Sequence, residues 1–148
     1  MLYFAYGSNM NEDELKKINV TILKAEKALL KNHNIALTRH AKTRGGGVLD
    51  IVPNHDIVEG VLLELHDTDR GKIDRKEGVT VCAYEPITVD VETETGEILN
   101  GILTYQVCKK ENPPAASQEY KESVLKGACE HKLSEKYKTK LKAVLEKT

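Results

Sequence analysis

The sequence predicts an α+β fold: a small mixed or antiparallel β-sheet that can curl into a barrel, flanked by helices. Three observations support this. β-rich segments alternate with short helical ones over the first two thirds of the chain. Residues 81–91 and 98–107 flank Thr95-Gly96-Glu97, a hairpin signature, and two amphipathic helices follow the Pro113-Pro114 break. The 148 residues suit a single domain, 1–148, long enough to bury one core without disulfides or a structural metal.

The elements follow in order. Met1 to Tyr6 is apolar and aromatic and reads as a buried strand, which Gly7-Ser8-Asn9 breaks. Asn9 or Asn11 can cap a short helix whose first turn carries Glu12, Asp13 and Glu14, with Leu15 and Ile18 on its apolar face. Residues 20–38 alternate as one long or bent strand, although the Leu29-Leu30 pair blurs the period and leaves a helix open there. Residues 39–47 are polar and glycine-rich and predict a mobile loop. Strand character returns at 48–52, and Pro53-Asn54-His55-Asp56 signals a turn. Residues 57–65 are the most strand-like stretch. Residues 67–76 read as a short helix capped by Asp67 and ended near Gly78, which puts Glu77 at a helix-to-loop junction. Residues 117–130 and 134–147 predict two helices, with Tyr120, Val124, Leu125 and Ala128 on one apolar face and Tyr137, Leu141, Val144 and Leu145 on the other.

Composition narrows the functional classes. Hydrophobic residues at 40% and charged ones at 30% describe a folded domain rather than a disordered chain. Lys and Arg (22) balance Asp and Glu (23), so no global field gathers nucleic acid, and any anion site must be local. The C-terminal helices are rich in lysine, but interspersed glutamates mark a solvated face. No apolar run approaches the length of a membrane span, and the first residues are strand-like rather than a signal peptide, so a cytoplasmic protein is expected. Cys82, Cys108 and Cys129 lack ligand spacing and read as reduced, buried thiols. The five histidines show no metal-binding pattern. Neither a metal nor another cofactor is expected.

Two segments can carry chemistry. The Tyr6-Gly7-Ser8-Asn9 loop can offer backbone N–H groups and side-chain donors to a carboxylate or oxyanion, or it can be a plain capped turn. Glu77, followed by Gly78 and Val79, can point inward, where desolvation raises its pKa and lets one carboxyl both accept and donate a proton. Otherwise it ends a charged helix in solvent. Gly45-Gly46-Gly47 can be a close-approach wall or a flexible loop, and Tyr84, Tyr105 and Tyr120 can be pocket hydroxyls or core aromatics. No Ser/His/Asp or Cys/His arrangement suggests covalent catalysis.

Leu2 to Met10 (LYFAYGSNM), Gly46-Gly47 ahead of a strand, Glu77-Gly78-Val79, and Ser117-x-x-Tyr120 followed by Gly127-Ala128-x-Glu130 occur in this order. Together they resemble the γ-glutamylcyclotransferase (AIG2-like) family across nearly the whole chain, most weakly between residues 20 and 42. The resemblance implies a small β-barrel with flanking helices. It also implies conversion of a γ-glutamyl amino acid or γ-glutamyl amine to 5-oxoproline and the free amino acid or amine. On that basis Glu77 is the catalytic acid/base. Tyr3, Phe4, Ala5, Tyr6, Gly7 and Ser8 receive the γ-glutamyl group with Asn9 beside them, Gly47 and Tyr120 contribute to the pocket, and Tyr105 flanks the acid/base. Tyr84 is a weaker carry-over, and a homodimer is a family-level expectation. Met10 replaces a leucine common in the family, a near-isosteric change. The loop at 39–45 is short and basic, so the leaving group does not carry over. A non-catalytic module binding γ-glutamyl or other small metabolites is the alternative.

Overall fold

A computed structural model describes all residues, Met1–Thr148. Five strands close into a barrel in the order β1-β3-β2-β4-β5: β1 (Leu2–Ala5), β2 (Ile22–Ala41), β3 (Gly46–Leu65), β4 (Tyr84–Thr93) and β5 (Ile98–Val107). Neighbours are antiparallel except β1 and β5, whose parallel contact at Tyr3 and Leu103 completes the ring and makes the sheet mixed. Four helices pack outside: α1 (Glu12–Lys16), α2 (Arg70–Lys76), α3 (Gln118–Glu130) and α4 (Glu135–Glu146). Closure leaves few free strand edges; Phe4, Leu30, Ile35, Leu49, Ile51 and Leu63 of the strands are buried, and Met10, Leu15, Ile73 and Leu141 from outside the sheet join them in one continuous core.

Local chemistry explains the helix ends. The Asn11 side chain accepts from the Asp13 N–H and caps α1, while Ser117 and Ser134 cap α3 and α4 through the N–H groups of Tyr120 and Tyr137. Asp67 does not cap α2. A 3-10 turn, Asp67–Asp69, precedes that helix, and the Asp67 carboxylate pairs with the N-terminal ammonium of Met1 at 2.9 Å.

Several expectations are corrected. Residues 39–47 are mostly strand: β2 runs to Ala41, a 3-10 turn occupies Lys42–Arg44, and β3 begins at Gly46, so β2 and β3 form one long hairpin. Pro53 to Asp56 lie inside β3 rather than in a turn. Pro53 is tolerated because it faces His33 where β3 pairs with β2 alone, β1 reaching only Val61 to Glu64. Val81 is not in a strand; Val79–Val81 is a 3-10 turn, and β4 starts at Tyr84. The thiols also differ from expectation. Cys82 and Cys108 form a disulfide, and Cys129 is exposed rather than buried. Their 26-residue separation hid a pair that the β4–β5 hairpin brings together. No helix is long and apolar enough to cross a membrane.

Candidate active site

A cavity of about 400 Å³ opens at one end of the barrel, where the loop after β1, the C-terminus of α2, the turn of the β2–β3 hairpin and the first residues of α3 converge. Gly7, Ser8 and Asn9 enter its wall because the chain leaves β1 directly into a 3-10 turn, Ser8–Met10. Such a turn leaves its first N–H groups unpaired, and those of Gly7, Ser8 and Asn9 meet no acceptor in the protein. This close approach depends on Gly127. A Cβ there would lie 2.5 Å from the Asn11 nitrogen, so α3 presses directly on the end of the loop.

Glu77 reaches the cavity as the residue that caps the C-terminus of α2. Gly78, at φ 67°, takes the left-handed conformation that ends the helix and turns the chain into Val79–Val81. One Glu77 oxygen accepts from Asn9 Nδ2 at 2.8 Å. The same Nδ2 donates to the Tyr3 hydroxyl at 2.9 Å, and Lys76 Nζ donates to Asn9 Oδ1. Asn9 is therefore held at both ends of its amide and fixes the carboxylate in turn. Burial pushes the Glu77 carboxyl above the usual glutamate range, against the opposing pull of Lys76, the Asn9 hydrogen bond, Arg44 and Arg39. Burial likewise lowers Lys76, against Glu77 and Glu14.

The tyrosines frame this centre. Tyr3 meets Tyr105 edge-on, with ring centroids 5.8 Å apart. Tyr6 donates to the Tyr105 carbonyl at 2.7 Å, and Tyr105 donates to Asp74 of α2 at 2.5 Å. Tyr120 accepts from the Leu49 N–H at 3.1 Å, while Tyr84 donates to the Leu49 carbonyl at 2.6 Å. The Tyr3 and Tyr120 hydroxyls are thus acceptors here, and each keeps a proton that no protein group takes. Burial raises the pKa of both well above the ordinary phenol value, so they are neutral donors at any physiological pH.

Of the residues singled out by sequence, Tyr3, Tyr6, Gly7, Ser8, Asn9, Glu77, Tyr84, Tyr105 and Tyr120 line this one cavity. Phe4 and Ala5 do not; their side chains are wholly buried in the core, on opposite faces of β1. Gly47 also lies outside the wall. A Cβ there would collide with the Pro114 carbonyl, so its lack of a side chain admits the 113–117 segment rather than a ligand.

The model of the AIG2-like family matches residues 57–141. The γ-glutamylcyclotransferase of Bos taurus is 30% identical over 148 residues, covering 97% of this chain and 78% of the bovine one. The chain belongs to this γ-glutamylcyclotransferase, AIG2-like family. A solved γ-glutamyl cyclotransferase superposes with a TM-score of 0.88 at 28% identity, covering 97% of this chain and 87% of that one. YkqA of Bacillus subtilis, named a putative γ-glutamylcyclotransferase, is 32% identical, and its crystal structure superposes with a TM-score of 0.91. This chain spans about half of the length of YkqA (50%).

Four charged residues that no motif announced complete the site in this family member. Arg39, Arg44 and Lys76 line the cavity, and Glu14 stands behind it. Arg44 lies 3.0 Å from Glu14, donates to Ser8 Oγ at 3.1 Å and stacks 5.3 Å from the centre of the Tyr120 ring. Burial alone would raise the Glu14 carboxyl, but the Arg44 hydrogen bond, Lys76 and Ser123 outweigh it and hold it at about 2. The basic run Lys42 to Arg44 was the only sequence signal for Arg44. Glu14 looked like a helix-dipole charge.

Proposed function

We propose that this protein is a γ-glutamylcyclotransferase that converts a γ-glutamyl amino acid or γ-glutamyl amine to 5-oxoproline and the free amino acid or amine. The observation that carries this reading is the juxtaposition of one partly buried carboxyl, Glu77, whose pKa desolvation raises, with a loop whose Gly7, Ser8 and Asn9 N–H groups lack acceptors. The family relationship supports the same reaction class.

A γ-glutamyl amide carries its own nucleophile. Its α-amine can reach its side-chain carbonyl and close a five-membered ring, so the enzyme has three tasks: to fold the substrate back, move protons and stabilise an oxyanion. Orientation contributes most, on the order of several kcal/mol. In this scheme Glu77, as carboxylate, takes a proton from the substrate ammonium, and the freed amine attacks the γ-carbonyl carbon. The new C–N bond pushes an electron pair onto oxygen, where the loop N–H groups and the spare phenolic protons of Tyr3 and Tyr120 are the available donors. The tetrahedral centre then collapses and the old C–N bond breaks: Glu77 returns its proton to the leaving nitrogen, then takes the second proton from the ring nitrogen and passes it to the departing amine, which leaves as an ammonium. The raised pKa suits a carboxyl that performs these transfers.

Incubating the full chain with γ-glutamyl amino acids and γ-glutamyl amines and detecting 5-oxoproline by mass spectrometry tests the proposal. Stoichiometric 5-oxoproline and free amine are expected. Ligand-dependent thermal stabilisation without product would instead establish a binding module.

A further inference from the structure

Arg39 is the one cation of the cavity without a carboxylate partner. Arg44 and Lys76 both lie against Glu14, at 3.0 and 3.5 Å, whereas the Arg39 guanidinium makes no ion pair or hydrogen bond within the protein. A partly buried, permanently charged fork with no partner is costly unless a ligand supplies one. The backbone is built to place it. The β2–β3 register passes from Leu37 opposite Leu49 to Arg39 opposite Val48, one extra residue on β2, so this bulge takes Arg39 off the face on which Leu37 is buried. Glu111 clamps the bulge on both sides: its N–H donates to the Thr38 carbonyl, and its carboxylate accepts from the His40 N–H, each at 2.7 Å.

We propose that Arg39 is a specificity residue that receives the carboxylate of the departing amino acid. This rests on the cyclotransferase reading above. Lys76 directly precedes Glu77 and bonds Asn9, and Arg44 bonds Ser8, whereas Arg39, on β2, bonds neither the loop nor the carboxyl. The γ-glutamyl half is served by the Gly7 to Asn9 loop, which leaves Arg39 for the other half. Charge agrees. Arg39, Arg44 and Lys76 face Glu77 and Glu14, leaving one positive charge, and a γ-glutamyl amino acid carries one net negative charge. A γ-glutamyl amine carries none.

The matched probes are γ-glutamyl-alanine and γ-glutamyl-ethylamide, which differ only in the leaving-group carboxylate. The ratio of their kcat/KM values should favour the alanine compound. Arg39→Gln should lower that ratio about 10- to 100-fold, and Arg39→Lys should restore part of it. An unmoved ratio, or equal loss on both compounds, which would place Arg39 on the glutamyl half, overturns the proposal. If neither compound turns over, the cyclotransferase reading falls. Calorimetric affinities of the same pair for the native chain and Arg39→Gln then decide the subsite, a collapsed affinity ratio upholding it and an unmoved one rejecting it.

Discussion

Glu14 lies behind the cavity yet sets its charge. Its carboxylate holds Arg44 and Lys76 together and accepts from Ser123 at 2.8 Å. Its folded pKa of about 2 lies below the ordinary 4.5, so its stabilising contribution is complete above pH 4.5 and is lost as pH falls through about 2. Glu14→Gln should therefore lower stability by about 1–3 kcal/mol at pH 7, and thermal melts should show that deficit shrinking between pH 4.5 and 2. A deficit independent of pH would mean that packing, not charge, explains the residue. Glu14, Arg44 and Lys76 were not legible in the sequence because their partners lie far apart along the chain, and charge alone does not reveal a partner. Glu77 and the Gly7 to Asn9 loop stand out as candidates because a glycine follows the one and interrupts an aromatic strand for the other, but only the family resemblance assigns them roles over a solvated helix end and a plain capped turn.

At the scale of elements, helices and strands were read from periodicity and caps, and both terminal helices begin at the serines that the sequence offered. The sequence pattern breaks the long β2–β3 hairpin into shorter strands and a loop. The hairpin's bulges between Lys31 and His33 and between Leu37 and Arg39 disrupt the alternation, and Pro53 and Gly45 mimic loop signals inside or beside long strands. Those irregularities aim Arg39, so what blurred the sequence pattern also builds the site. The contact between α3 and the loop after β1 makes a sharper test. Gly127→Ala would force a methyl against Met10 and Asn11, where no flexible side chain can yield, and should cost about 1–3 kcal/mol. Because the displaced segment carries Ser8 and Asn9, kcat/KM should fall with stability. A lower melting temperature with native kcat/KM would separate the loop from the helix.

On the scale of the whole molecule, the closed barrel holds the site from opposite sides, and the Cys82–Cys108 disulfide fastens the Gly78 to Ala83 wall to the end of β5. A cross-link closing a 26-residue loop is worth about 3 kcal/mol, so reduction by a dithiol, or Cys82→Ser, should lower the unfolding midpoint accordingly. An unmoved midpoint would show that the strand pairing alone secures this wall. Barrel closure is permitted by the run of β segments and implied by the family resemblance. The disulfide is not, because cysteine spacing says nothing about contacts made by a hairpin. The central claim is that Glu77 moves the protons of cyclisation. Its raised pKa favours the folded state only while the carboxyl is protonated, an advantage lost as pH rises through the folded value, so at neutral pH Glu77→Gln should be at least as stable as the native protein. The most direct measurement is 5-oxoproline release by purified Glu77→Gln, alongside its melting temperature and affinity for the same γ-glutamyl compound. We predict turnover reduced at least 100-fold with fold and binding retained; near-native turnover would contradict the assignment of Glu77.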